Sequence, residues 1–354
     1  VKPGLNLGGP PSKAKYSLSC FYVIISVCVK IIICYYVLML NVKEISMKFV
    51  IFYLFFFMIG FMPFKGFSKS LEVQGHRGYQ ALHPENTLPA FLAAIEAGAD
   101  TIELDILATS DNELVIHHDF FINKELCAYL DGSAVAKEVL IRSQTLEQLK
   151  KLEVGVKPHP LFSGQILAPG TQIPTLQELF DAINASNHPN AKKIRLNLEI
   201  KRDPRFPEWT LSPSDMALSI TKQVKENGFE DRVYYSSFDP EILVAIRQLD
   251  SSASTGLIFE GLGLEFARLL HTEADVEFLL QIASLLEVNV LSPSHELLHG
   301  KEEVLAWQNK GFRVIPWTVN DPKRWGELIE MGVNGIISDD PEALIQFFKD
   351  YSKP

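Results

Sequence analysis

A closed barrel of eight parallel strands, each followed by a helix, is the fold class the sequence predicts, and three observations predict it. Strand-like runs recur at residues 73–77, 101–106, 194–201, 232–237, 255–259, 287–291, 312–319 and 334–338, with helical stretches between them. The 354-residue chain has room for one such barrel, about 250 residues, beyond a leader. Its 47% hydrophobic composition is enough to fill a large core.

The leader comes first. Residues 16–40 are a largely apolar stretch interrupted by Lys30. Met47-Lys48 then opens a second one, Phe49 to Phe64, followed by Gly66-Phe67-Ser68 with small residues where a signal peptidase inspects the chain. Residues 47–68 are therefore expected to be a signal peptide, cleaved after Ser68, with a periplasmic or secreted barrel spanning 69–354. Residues 1–46 form an apolar extension with two open readings. One is sequence upstream of the natural start, since Val1 is an unusual first residue. The other is a transmembrane helix, about 20 apolar residues being enough to span a bilayer. With both stretches real, a helical hairpin anchors the protein to a membrane with its barrel outside the cytoplasm.

Cys20, Cys28 and Cys34 lie in the leader, which leaves Cys127 alone and excludes a disulfide framework within one chain. Residues 1–68 also hold seven of the 33 bases and one of the 43 acids. Beyond them, 26 bases face 42 acids, a net charge of −16. A surface that acidic is unsuited to nucleic acid.

The first strand ends in His76-Arg77-Gly78, where glycine permits a sharp turn and puts an imidazole at a strand end. Pro84-Glu85-Asn86-Thr87 follows. In the second strand Ile102, Leu104 and Ile106 alternate with Glu103 and Asp105, so both carboxylates share one face. An isolated Glu-x-Asp is most often a solvated strand face. Two acids sharing a buried face instead require a cation between them, and a hard divalent ion, Ca²⁺ or Mg²⁺, is the economical choice.

Residues 113–118 form a ninth extended run, joined to the second strand by a link too short for a parallel crossover. It is expected to return as a hairpin that brings His118 to the barrel mouth. Residues 120–175 carry Gly132, Pro158, Pro160, Pro169 and Gly170 and read as a loop-rich insertion on the C-terminal face, with one short helix at Thr145 to Leu152. Thr175 and Glu178 then have capping-box spacing. In the third strand Leu196, Leu198 and Ile200 are assigned to the helices, and Asn197, Glu199 and Lys201 to the interior. Burying Glu and Lys is costly without a partner or an ion.

In this order and spacing, His76-Arg77-Gly78, Pro84-Glu85-Asn86-Thr87, Glu103-x-Asp105 and His118-Asp119 resemble the glycerophosphodiester phosphodiesterase family. Leu198-Glu199-Ile200-Lys201 fits its next motif, and the resemblance runs from Leu71 to Phe348. It implies a TIM barrel in which Glu103, Asp105 and Glu199 hold one divalent cation, Ca²⁺ or Mg²⁺, with Glu85 close to it and Asn86 holding that glutamate. Arg77 and Lys201 would supply fixed positive charge to the phosphate, and Trp317, in Pro316-Trp317-Thr318, an apolar wall. The bland alternatives are a Glu199–Lys201 pair with no ion and plain core packing for Trp317. His76 and His118 would be the acid and base, with their parts unassigned, and His118 is chosen over His117 because it precedes Asp119. Asp339, after the last strand, is expected to brace the mouth.

The implied reaction is hydrolysis of a small-molecule glycerophosphodiester to sn-glycerol 3-phosphate and an alcohol, with the glycerol 2-hydroxyl attacking phosphorus. A lysophospholipase D with an apolar trough beside the insertion, and a non-catalytic phosphodiester-binding barrel, are the alternatives. Nothing in the sequence sets the number of subunits.

Overall fold

The computed structural model describes residues 71–135, 137–157, 159–260 and 274–352. The leader stretches at 16–40 and 47–68 lie outside them. Among the described residues no helix is long and apolar enough to cross a membrane.

The barrel opens with β1 (Glu72–Gly75), α1 (Leu88–Ala97) and β2 (Thr101–Ala108). A hairpin arm, β3 (Leu114–Ile116), and the insertion strand β4 (Cys127–Tyr129) come next. They are followed by α2 (Leu146–Leu149), β5 (Leu152–Val154) and α3 (Leu176–Ala185). The remaining strands are β6 (Arg195–Ile200), β7 (Val233–Ser237), β8 (Thr255–Phe259), β9 (Val290–Pro293), β10 (Arg313–Val314) and β11 (Gly335–Ser338). The helices behind them are α4 (Pro213–Glu226), α5 (Pro240–Leu249), α6 (Ala274–Leu285), α7 (Lys301–Asn309), α8 (Pro322–Met331) and α9 (Pro341–Tyr351).

The parallel strands run β10-β9-β8-β7-β6-β2-β1-β11 around the barrel. Hydrogen bonds from Asn334 N to Val314 O (2.8 Å) and Ile337 N to Pro316 O (3.0 Å) close the ring. The structure is the predicted (β/α)8 barrel. Alternation on β2 and β6 falls as expected: Ile102, Leu104, Ile106, Leu196, Leu198 and Ile200 pack outward in one cluster with Phe91, Phe180 and Ile220. The interior is polar lower down, where Gln74 and Tyr234 bond each other, and Asn197 bonds Gln74 and Ser236.

Several local signals hold. Thr87 caps α1 and the chain leaves it through Gly98 in the left-handed region (φ 93). Thr175 and Glu178 form the capping box at α3. The ninth extended run pairs antiparallel with β2, Ile106 opposite Ile116, so the hairpin is present.

Three elements differ from expectation. The strand expected at 312–319 is a regular ladder of only two residues. Single hydrogen bonds to β9 continue from Ile315 N to Leu291 O and from Trp317 N to Pro293 O, but Pro316 lacks the N–H that would donate on the β11 side. The one expected at 287–291 is displaced to Val290–Pro293, with Glu287 in the left-handed region (φ 52). Residues 120–175 are not merely irregular: β4 and β5 pair antiparallel, and Ile122, Cys127, Ile141, Leu149, Leu152 and Ile173 build a second core together with Leu107 and Val115 of the hairpin. Leu152, assigned to a helix, belongs to a strand, because the helix is one turn ending at Leu149 and the chain beyond it pairs with β4, Leu152 opposite Tyr129.

Candidate active site

All the strand-borne candidates meet at the C-terminal end of the barrel, where loops carry ligands in this fold. β2 and β6 are neighbours in register, with Glu103 opposite Asn197 and Asp105 opposite Glu199. That places oxygens of Glu103, Asp105 and Glu199 within 4.8 Å of one another. Glu103 and Asp105 are 3% and 1% exposed, and Oε1 of Glu103 has no hydrogen-bond partner. An orphaned buried acceptor within a set of three carboxylates is what a hard cation satisfies, so the residues present fit a divalent ion.

Positive charge is fixed alongside. Lys201 Nζ lies 2.6 Å from Glu199 and 3.1 Å from Asp105, so the pairing with Glu199 exists but is shared with a second acid. Arg77 reaches Glu85 at 2.9 Å and Asp105 at 3.6 Å, and its backbone N–H donates to Glu103 Oε2 at 2.9 Å. That contact requires Arg77 in the left-handed region (φ 51), and Gly78 turns with it (φ 88): a Cβ there would fall 2.7 Å from the Ala90 backbone. Burial disfavours the charged form of both cations, but their acidic neighbours outweigh it and keep them charged: Asp105 and Glu199 for Lys201, Glu85, Asp105 and Glu103 for Arg77.

The acids divide. Burial, Asp105 and Glu199 drive the Glu103 pKa well above the ordinary glutamate range. Burial works the same way on Asp105, yet Lys201, His118 and Arg77 overcome it and hold Asp105 below the ordinary range. Of these two acids, Glu103 is therefore the one whose surroundings favour the protonated form.

Asn86 does not hold Glu85. Its Nδ2 donates to Asp105 Oδ2 at 2.8 Å, with the backbone in the left-handed region (φ 55). Glu85 is instead held by Arg77 and by Gln80 (2.7 Å). The insertion seats this loop: Ile166 N–H donates to Leu82 O, Gln165 Nε2 to the carbonyls of Gln80 and His83, and His159 Nε2 stands 3.9 Å from Glu85.

The two adjacent histidines part company. His118 Nδ1 pairs with Asp119 at 2.7 Å, and its charge acts on Asp105. His117 is buried, lines a small cavity with Glu85, Cys127 and His159, and has its pKa lowered by burial. Cys127 beside it is an inert thiol, pushed up to about 12 by burial and the charge of Glu85. Trp317 is half-buried, donates to Ser292 O at 2.9 Å and meets the exposed Phe238 edge-on at 5.6 Å.

Sequence reasoning misses one contact. His76 Nδ1 lies 2.6 Å from Asp339 Oδ1, and Asn320 Nδ2 lies 2.5 Å from Asp339 Oδ2. His76 and Asp339 stand 263 residues apart in sequence, and no local pattern announces them. The only available signal is the pairing of first and last strands, Gly75 opposite Ser338, which makes their ends neighbours.

A site that confronts two titratable imidazoles with buried acids and fixed cations is equipped to act on an anionic ester, and on this barrel it defines a phosphodiesterase. The comparisons specify which. The Glycerophosphoryl diester phosphodiesterase family profile matches residues 76–343, and the chain belongs to that family. It is 32% identical over 278 residues to a glycerophosphodiester phosphodiesterase of Caldanaerobacter subterraneus subsp. tengcongensis, covering 78% of this chain and 97% of the relative. Among solved structures, a glycerophosphoryl diester phosphodiesterase homologue from Silicibacter pomeroyi superposes with a TM-score of 0.71 at 24% identity, covering 79% of this chain and 94% of that one. An Oleispira antarctica phosphodiesterase, solved with its product sn-glycerol-3-phosphate, superposes at 0.61 and 22% identity over 78% of this chain and 96% of its own.

Proposed function

We propose that this enzyme hydrolyses glycerophosphodiesters to sn-glycerol 3-phosphate and an alcohol such as choline or ethanolamine. The observation that carries the reading is the Glu103, Asp105, Glu199 cluster with its orphaned Glu103 oxygen, facing Lys201 and Arg77 at the barrel mouth. These three carboxylates would hold one divalent cation, Ca²⁺ or Mg²⁺, which when bound neutralises charge on the phosphoryl oxygens. Lys201 and Arg77 bind and orient the phosphate. One of His76 and His118 takes the proton of the substrate's 2-hydroxyl as it attacks phosphorus, and the other protonates the departing alkoxide. In the second half the roles reverse: water opens the cyclic phosphate, losing its proton to one imidazole while the other returns one to the 2-oxygen.

The test is turnover of glycerophosphocholine by the full chain before and after EDTA, with Ca²⁺ or Mg²⁺ restored. Activity lost on chelation and regained with one ion supports the reading. No turnover with any ion, by a folded protein, sinks it.

A second reading, acylated glycerophosphodiesters, is favoured by one observation. Phe120 and Phe121, two and three residues after His118, pack on Trp209 at 5.4 and 5.1 Å, and Phe206 stacks on that indole at 4.0 Å, 38% exposed. Lysophosphatidylcholine in the same assay separates the two.

We also place the barrel outside the cytoplasm, on the sequence of residues 47–68. N-terminal sequencing of protein recovered outside the cytoplasm distinguishes cleavage after Ser68 from a retained membrane anchor at 16–40.

A further inference from the structure

We propose that Asn320 and Asp339 are positioning residues that lock His76 in the tautomer with its proton on Nδ1, leaving Nε2 as the nitrogen that exchanges protons at the reaction centre. The inference rests on the reading of His76 as a catalytic imidazole.

Asp339 is 7% exposed, and its carboxyl is kept below the ordinary range because His76 and Asn320 outweigh its burial. An ionised carboxylate only accepts, so the 2.6 Å contact with His76 Nδ1 requires the hydrogen on that nitrogen. Nε2 then faces the site, 4.0 Å from Glu103 Oε2 and 3.5 Å from Thr318 Oγ1.

Asn320 gives this arrangement its polarity. Its Oδ1 accepts from the Asp339 backbone N–H at 3.0 Å and from Ser338 Oγ at 3.0 Å. Both donors would be stranded if the amide turned over, so the NH₂ group is committed to Asp339 Oδ2. The frame around the group is fixed as well: His76 N–H donates to Ser338 O at 2.9 Å and Ala81 N–H to Asp339 O at 3.0 Å. Position 339 must therefore present an acceptor in two directions, towards Asn320 and towards His76.

An asparagine at position 339 cannot do both. Its oxygen is claimed by the Asn320 amide, so its own NH₂ turns to His76 Nδ1 and drives the ring hydrogen to Nε2. The geometry is kept and the tautomer is wrong. Placing an aspartate at position 320 as well reverses this. The new carboxylate still accepts from Ser338 Oγ and the backbone N–H of position 339. It draws the NH₂ of the introduced amide towards itself, which leaves that amide's oxygen facing Nδ1–H. Moving the charge from position 339 to position 320 should thus restore the tautomer. A purely structural role for the pair predicts no such rescue.

The experiment uses the full chain on glycerophosphocholine. Asp339→Asn should lower kcat at least about tenfold with KM within about twofold. Asp339→Asn/Asn320→Asp should recover at least about fivefold of that loss, which Asn320→Asp alone should not surpass. A near-normal kcat for Asp339→Asn, or a folded double variant no faster than it, overturns the proposal. The ¹⁵N spectrum of the neutral His76 ring, assigned against His76→Gln, reads the tautomer without turnover. Nδ1–H in the unsubstituted chain supports the proposal and Nε2–H overturns it, even if a variant fails to fold. Absence of activity in the unsubstituted chain would instead count against the phosphodiesterase reading, with the tautomer still decided by the spectrum.

Discussion

Gly155 sits against Pro84 so closely that a Cβ on the glycine would fall 2.0 Å from the proline Cγ. The insertion therefore bears directly on the Pro84-Glu85-Asn86-Thr87 loop, which holds Arg77 through Glu85 and Asp105 through Asn86. Gly155→Ala must push this loop inward and also adopt a left-handed backbone (φ 76). Strain and overpacking together should cost at least about 2 kcal/mol. Denaturant unfolding measures that loss. Activity of the folded fraction should fall as well, because Glu85 and Asn86 move with Pro84; unchanged activity would show that the loop is not held by this contact.

Asn86→Ala removes the amide that bonds Asp105 and puts alanine in a conformation asparagine tolerates better (φ 55). An unsatisfied buried carboxylate oxygen and a strained backbone predict about 1–3 kcal/mol of destabilisation. Because Asp105 is then held only by Lys201 and Arg77, the affinity for the activating cation should weaken about tenfold. Titrating activity with Ca²⁺ and with Mg²⁺ measures it, and an unchanged half-saturating concentration would remove Asn86 from the support of the site.

The raised pKa of Glu103 makes stability depend on pH with a definite sign. An acid that titrates higher in the folded state than in the unfolded one makes the folded state hold the extra proton. Its contribution is full below the ordinary glutamate range and is lost as pH rises through the raised value. Asp105, depressed by Lys201, His118 and Arg77, acts the other way, and its contribution is lost only in acid. Chelated protein should therefore lose thermal stability as pH rises above the ordinary carboxylate range. A bound cation replaces the proton on Glu103, so the gain in Tm on adding Ca²⁺ or Mg²⁺ should grow over the same range. A gain independent of pH would mean that Glu103 is not among the ligands.

How far the sequence carries depends on the range over which each feature is encoded. Strands such as β2 and β6 are legible because a period of two marks both faces within six or eight residues, and Glu103, Asp105 and Glu199 follow from that phase. The hairpin is legible because a short link forbids a parallel crossover. The insertion is hard to read because β4 and β5 are three residues each and complete one another across more than twenty positions. Adjacency in sequence points Asn86 to Glu85, although its partner Asp105 comes from the next strand. His76 and Asp339 meet only because the first strand closes against the last, a property of the whole ring.

Lys201 separates catalysis from cation binding by the sign of two effects. Its ammonium is wedged between Glu199 and Asp105, where it offsets part of the repulsion that a divalent ion would otherwise relieve. Lys201→Met deletes that competitor, so the cation-free protein should lose about 3–5 kcal/mol, as expected when a buried pair loses one partner. The same variant should bind Ca²⁺ or Mg²⁺ more tightly, because the ion now meets uncompensated carboxylates. If Lys201 also binds the phosphate, turnover of glycerophosphocholine at saturating cation should remain at least about tenfold down. Calorimetric titration of the cation, paired with kcat/KM at saturation, reads both. Full activity at saturating cation would reduce Lys201 to a structural partner of the acids, whereas tighter cation binding with persistently low kcat/KM assigns it to the substrate.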